Sequence, residues 1–293
     1  MKAKAKVKRH YVLPSGKELT LGEGTLVMGI LNVTSDSFSD GGRWNTLDKA
    51  LEHALSMVED GAAIIDIGAE SSRPGFVPVA AAEEMARLAP FLEYLAPKIP
   101  VPISVDTFKA ETARAALQLG ADILNDIWGL QYAAEPRGAM ARVAAAAHAP
   151  VVVMHNQATA VYEKDIIASM QDFFRESCAI AEDAGVAKEA LIFDPGIGFG
   201  KTPAMNIEVL HRLHELSRLD GEPLPLLLGA SRKSFIGYAL DLPVEERLEA
   251  TGAASVLGVA AGASIVRVHD VREIARMCRM ADIILEGRKH GQD

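Results

Sequence analysis

A repeated rhythm restricts this chain more than any single motif. The short apolar runs at 25–31, 62–67, 101–105, 121–124, 150–154, 190–193, 224–229 and 264–268 read as strands. Between and after them, 46–60, 80–96, 109–119, 137–147, 164–184, 204–218, 244–261 and 270–287 read as amphipathic helices. Gly61, Gly120, Gly185 and Gly262 stand where helices exit. Unbroken strand-then-helix units imply a parallel sheet, and eight of them imply an α/β fold closed as a (β/α)8 barrel. A doubly wound sheet is the alternative; it rarely runs eight units without a crossover insertion. Upstream, Tyr11-Val12-Leu13 and Glu18-Leu19-Thr20-Leu21 flank Pro14-Ser15-Gly16-Lys17, the pattern of a hairpin. The expected organisation is a tail and hairpin over 1–24, capping the bottom of the barrel, and a single barrel domain over 25–293.

Composition narrows the partners. A net charge of −9 disfavours nucleic acid. Hydrophobic and charged fractions of 49% and 24% are ordinary for a globular protein. No apolar run approaches the ~20 residues that a membrane span requires. Met1 to Arg9 is basic, lacks the apolar core of a signal peptide and reads as a solvated tail. Cys178 and Cys278 each fall inside a helical stretch, which favours reduced thiols over a disulfide and a cytoplasmic setting.

In such a barrel the chemistry sits where the strands end, and every strand here ends on polar groups. After the first comes Asn32 and a connection of about fourteen residues, far above the usual ~2–6. It carries Asp36, Phe38, Asp40, Gly41 and Gly42 and reads as a lid. Gly68 to Gly75 forms a second long loop, in which Arg73, beside Pro74, could meet a carboxylate-bearing substrate. Asp106, Asn125 and Asp194 would point into one mouth, where the edge of an aminopyrimidine would satisfy a carboxylate; each singly could instead cap a helix or order a turn. Arg267 and His269, at the opening of the last helix with Asp270 as its N-cap, read as an anion site, the alternative being a surface Arg and a capping His. Lys233 could face a ring heteroatom or a phosphate, or stand exposed. Gly196-Ile197-Gly198-Phe199-Gly200 lacks the spacing of a nucleotide loop; its glycines leave room for a close ligand and Phe199 reads as a stacking wall. His211 and His214 read as surface residues, His53 and His148 as helix residues without a chemical role, and Asp66 and Glu70 as groups inside the barrel.

Ordered segments then carry a family resemblance: Gly29-Ile30-Leu31-Asn32-Val33-Thr34, Asp36-Ser37-Phe38-Ser39-Asp40-Gly41-Gly42, Asp66 to Gly75, Ser104-Val105-Asp106-Thr107, Asn125-Asp126-Ile127, Met154-His155, Asp194 to Lys201, Ser231-Arg232-Lys233-Ser234 and Arg267 to Val271. The chain resembles the dihydropteroate synthases, a family of pterin-binding barrels, over nearly its whole length. The resemblance implies condensation of hydroxymethyl-dihydropterin diphosphate with p-aminobenzoate, an ionising mechanism and a step in folate synthesis. It implies that Asp106, Asn125, Asp194 and Lys233 hold the pterin between walls formed by Ile127, Met154 and Phe199. It places Asn32 on a Mg2+ that accompanies the diphosphate, and Arg267 and His269 on the diphosphate oxygens. Phe38, Ser72, Arg73, Pro74, Phe199 and Ser234 would form the p-aminobenzoate pocket, which sulfonamides would share. Asp36 and Asp106 would stabilise the cation formed when the diphosphate leaves. A homodimer is the family habit. Two departures stand out: Ser35 where the family usually has Pro, and Ser72 where Thr is usual. Rival readings are a corrinoid-dependent methyltransferase, which needs no diphosphate site, a non-catalytic pterin-binding homologue, and a Schiff-base aldolase using Lys233.

Overall fold

The computed structural model describes residues 6–33, 43–70 and 78–287. An antiparallel hairpin opens the chain: β1 (Arg9–Val12) pairs with β2 (Glu18–Leu21). Eight parallel strands then close into a barrel: β3 (Leu26–Asn32), β4 (Ile64–Gly68), β5 (Ile103–Asp106), β6 (Ile123–Asp126), β7 (Val151–Met154), β8 (Leu191–Asp194), β11 (Leu226–Leu228) and β12 (Ala263–Val268). Strand β12 lies beside β3 and closes the ring. Around it run α1 (Arg43–Glu59), α2 (Ala81–Leu95), α3 (Ala110–Gln118), α4 (Ala139–Ala147), α5 (Ile166–Asp183), α6 (Pro203–His211), α7 (Ser234–Leu240), α8 (Leu248–Ala261) and α9 (Val271–Glu286). The barrel expected from the eightfold alternation is the fold observed.

Side chains alternate across each strand, so every second residue enters the barrel. The lower interior is apolar: Met28, Ile64, Ile123, Val152, Ile192, Leu227 and Ile265 pack there with Tyr11, Leu13, Leu19 and Leu21 of the hairpin. Each such side chain contributes about 1.5–3 kcal/mol through burial. The outward residues of the same strands, such as Val27, Ile65, Val105 and Val266, pack with helix residues. Two residues farther along the inward face the chemistry turns polar: Asp66 follows Ile64, Asn125 follows Ile123, Asp194 follows Ile192 and Arg267 follows Ile265. The apolar floor therefore fixes the height of the polar layer above it.

Three local expectations need correction. The stretch 204–218 is not one helix: α6 ends at His211, a 3-10 turn follows over Leu213–Ser217, and β9 (Arg218–Leu219) pairs with β10 (Glu222–Pro223). Asp220 (φ 51°) and Gly221 (φ 88°) make the tight turn between them, an arrangement that Asp-Gly favours. The stretch 244–261 likewise opens as a 3-10 turn, with α8 starting only at Leu248. The third is α7, a seven-residue helix too short to show a period. No helix among the described residues is long and apolar enough to cross a membrane, and Cys178 and Cys278 are free.

Candidate active site

Register brings the polar strand tips together. Asp106 faces Asn125 across β5 and β6, and Met154 faces Asp194 across β7 and β8. Arg267 reaches over β3: its Nε donates to Asp66 Oδ2 (2.6 Å) and its Nη2 to Asp106 Oδ2 (2.8 Å). Asn125 Nδ2 donates to the same Asp66 oxygen (3.1 Å). Asp194 Oδ1 accepts from Gly196 N (2.7 Å). Two glycines pass close beside these groups, within ordinary van der Waals contact. A Cβ on Gly68 would lie 3.4 Å from Asp106 Cβ, and one on Gly229 would lie 3.6 Å from Asp194 Oδ2.

The electrostatics are tightly balanced. Burial pushes Asp106 up to about 7 although Arg267 opposes the shift. Asp194 is also raised by burial, offset by the Gly196 N–H and by Lys233. Burial lowers Lys233 to about 8, with Asp194 working against it. Asp106 and Lys233 are thereby brought near neutrality, where a small change in neighbouring charge moves their protonation.

One wall of the mouth is aromatic and apolar. Phe108, Ile127 and Met154 are buried together, and Trp128, Tyr132 and Phe199 pack on them. Phe108 and Tyr132 meet edge to face at 4.6 Å. The Lys233 ammonium lies 4.3 Å above the Phe199 ring and donates to Ile197 O. The loop bearing Phe199 needs glycine: at Gly196 (φ 64°) a Cβ would come within 2.0 Å of His155 O.

The opposite rim is cationic but not uniformly so. Ser231 Oγ accepts from His269 N (3.2 Å) and lies 3.0 Å from His269 Nδ1. With its oxygen taking the backbone N–H, the hydroxyl proton is available to Nδ1, and we assign the imidazole proton to Nε2. Burial, then Arg267 and Arg232, lower His269 to about 4, so it is a neutral donor rather than a cation. Asp270 occupies the N-cap position of α9 without a side-chain cap bond. Instead it takes the Arg232 guanidinium (Nε to Oδ2, 2.9 Å), which corrects the capping role expected of it.

Of the other expected site residues, Asn32 is exposed at the tip of β3 and Ser234 is exposed in the first turn of α7. Asp36, Phe38, Ser72, Arg73 and Pro74 lie outside the described residues, as do the departures Ser35 and Ser72. Among the described residues, no group of three or more His, Cys, Asp and Glu could hold a metal; the donor expected from sequence is a single amide oxygen, Asn32. Asp66 was placed inside the barrel by sequence, but its contact with Arg267 was not foreseen; its inward parity with Gly68 was the available signal. Ser231, His155 and Lys201 lie in segments that carry the family resemblance, which implies no role for them. Arg247, whose Nη1 donates to Arg232 O (3.1 Å), carried no sequence signal.

A closed parallel barrel with carboxylates and an amide at its strand tips, an aromatic wall and a cationic rim is the architecture of an enzyme with its site at the barrel mouth. The chain belongs to the pterin-binding enzyme family, whose model matches residues 28–269. It is 51% identical over 275 residues to the dihydropteroate synthase of Bacillus subtilis (strain 168), covering 93% of this chain and 94% of that one. The dihydropteroate synthase of Escherichia coli (strain K12) is 44% identical over 270 residues, 90% of this chain and 93% of that one. Among solved structures, the Clostridium difficile dihydropteroate synthase with pteroic acid superposes with a TM-score of 0.85 at 49% identity, covering 90% of this chain and 98% of that one. The Yersinia pestis enzyme with a sulfonamide drug complex gives 0.84 at 40% identity, covering 96% and 100%.

Proposed function

We propose that this chain is a transferase of folate synthesis that joins 6-hydroxymethyl-7,8-dihydropterin diphosphate to p-aminobenzoate, giving 7,8-dihydropteroate and diphosphate. The observation that carries the reading is the placement of Asp106, Asn125 and Asp194 beside an aromatic wall, with Arg267 reaching across the barrel to Asp106 and His269 beyond it at the end of β12. The carboxylates and the amide take the amino and ring N–H groups of a pterin, and Ile127, Met154 and Phe199 contact its faces. Lys233, above Phe199, supplies a donor to its ring heteroatoms. Arg267 and the Nε2–H of His269 meet the diphosphate.

This arrangement favours breaking the C–O bond before the amine attacks. No strong base among the described residues stands ready to sharpen an aniline, itself a weak nucleophile. The ring delocalises the cation on its exocyclic methylene, and Asp106 and Asp194 lie where that charge spreads. By resemblance, Asp36 adds a carboxylate and its loop excludes water. Asn32, exposed at the tip of β3, would offer its amide oxygen to a Mg2+ accompanying the diphosphate. When bound, that ion would neutralise charge on the leaving group.

Phe38, Ser72, Arg73, Pro74, Phe199 and Ser234 form the p-aminobenzoate pocket in this reading, and sulfonamides compete there. Ser35 and Ser72 then bear on KM for p-aminobenzoate and on sulfonamide response. A homodimer belongs to the same proposal; exposed Tyr238, Leu240, Leu257, Met280 and Ile284 on the late helices support it, and light scattering coupled to gel filtration reads it directly. The deciding assay is diphosphate release. It is expected only with pterin diphosphate, p-aminobenzoate and Mg2+ together, and release without p-aminobenzoate at the same rate would overturn the reading.

A further inference from the structure

The loop from β8 to α6 carries two things the pterin site depends on: the Phe199 ring, and the Ile197 carbonyl that holds Lys233. We propose that Lys201, supported by His155, is a positioning residue that staples this loop into its pterin-binding shape; the inference rests on the pterin reading above.

The geometry is specific. Lys201 Nζ lies 3.1 Å from Gly196 O, 3.1 Å from Phe199 O and 2.8 Å from His155 Nδ1. Both ends of the glycine-rich turn therefore bond to one nitrogen. His155 is buried, within 5.0 Å of Phe173 edge to face and 6.2 Å from Tyr162 in a stack. Tyr162 OH donates to Gly200 O (2.9 Å), and Gly198 N donates to Asn206 Oδ1 (2.7 Å). Glycines at 196, 198 and 200 all have positive φ (64°, 88° and 54°). Such a turn has little preference of its own for one shape. Its shape comes from these side-chain bonds, and Lys201 supplies two of them.

The staple also tolerates a change of protonation. Burial lowers Lys201 to about 7 and holds His155 well below its usual value. As an ammonium, Lys201 donates its third hydrogen to Nδ1. As an amine, it accepts one from Nδ1–H, and both carbonyls keep their donors.

Diphosphate groups are held elsewhere: Arg267 is anchored on Asp66 and Asp106, and His269 on Ser231. Positioning by Lys201 should consequently separate the two ligands, whereas loss of general structure should not. The test titrates 6-hydroxymethylpterin and, separately, inorganic diphosphate with Mg2+ into the full chain, as wild type, Lys201→Met and Tyr162→Phe, with steady-state kinetics alongside. For Lys201→Met we expect pterin Kd and the KM for pterin diphosphate to rise about tenfold, with diphosphate Kd unchanged within twofold and kcat changed less than threefold. Tyr162→Phe, a milder change at the loop's outer end, should raise pterin Kd two- to threefold. Unchanged pterin affinity in the Lys201 variant, whatever Tyr162→Phe does, or an equal loss for both ligands, overturns the proposal. Should Lys201→Met not fold, Lys201→Gln is read in the same two titrations, with the same expected split between the ligands. A wild type that binds no pterin would instead sink the functional reading itself.

Discussion

At the residue scale, Arg267 links binding and chemistry because it touches Asp66 and Asp106 at once. Its replacement by Ala strands two buried carboxylates, a change that typically costs about 3–5 kcal/mol. For Arg267→Ala we expect a urea midpoint lowered accordingly and kcat reduced at least ~100-fold, with a smaller loss of pterin affinity, since Asn125, Asp194 and Lys233 remain. Equal losses in kcat and pterin affinity would contradict its assignment to the leaving group. The protonation states give a second test. Asp106 must be ionised to accept from pterin N–H groups, and it titrates near 7 in the free protein. Lys233 must be protonated to donate fully, and burial brings it to about 8. Pterin affinity measured by calorimetry should therefore rise with pH through about 7 and fall again above about 8. Asp106→Asn should remove the acidic arm, and Lys233→Met the basic one.

At the element scale, the turn after β6 shows how a strand tip is stabilised. Asp126 is buried and accepts from Trp128 N (2.8 Å) and Leu130 N (2.7 Å), yet burial outweighs these bonds and raises it to about 6. A carboxylate whose folded value exceeds its unfolded value binds more protons in the folded state between the two. Its contribution to stability is thus full below about 4 and declines as pH rises to about 6. Asp126→Asn should flatten that part of the stability–pH curve, read as urea midpoints at pH 4, 5 and 6; an unchanged slope would remove Asp126 as its source. Elements of this kind also mark how far sequence goes. The strands were legible because burial on both faces leaves runs such as Val151-Val152-Val153 wholly apolar. Asp106, Asn125 and Asp194 were legible as mouth residues because each ends such a run. The Asp66–Arg267 bond was not, because 201 residues separate the partners and only barrel register sets which inward positions face each other. Nor was the Lys201–His155 contact, since both lie in loops without a period. The seven residues of α7 give too few turns for an amphipathic pattern to emerge.

For the whole molecule, the barrel works as two halves that need not share a fate. Its upper half holds charges that titrate near neutrality, while its lower half is sealed by the hairpin of β1 and β2. That seal depends on apolar packing of Leu19 and Leu21 against the inner strands and on one buried carboxylate. Asp122 accepts from Ser15 N and from Ile103 N, both at 3.1 Å, tying the hairpin turn to the start of β5. Lys17 adds a weaker pairing at 3.8 Å and donates to Val101 O at 3.1 Å. Removing Asp122 leaves the buried Ile103 N–H without its side-chain acceptor, which costs about 1–3 kcal/mol, and releases the exposed hairpin turn at Ser15. Asp122→Ala should thus lower the urea midpoint measurably, and Leu21→Ala should cost about 2–5 kcal/mol by opening a cavity in the plug. Neither residue approaches the strand tips, so kcat and pterin Kd of the folded variants should stay within twofold of wild type. A plug variant that stayed fully folded but lost pterin affinity would show that the two ends are coupled through the strands, and the division of labour along the barrel axis would have to be abandoned.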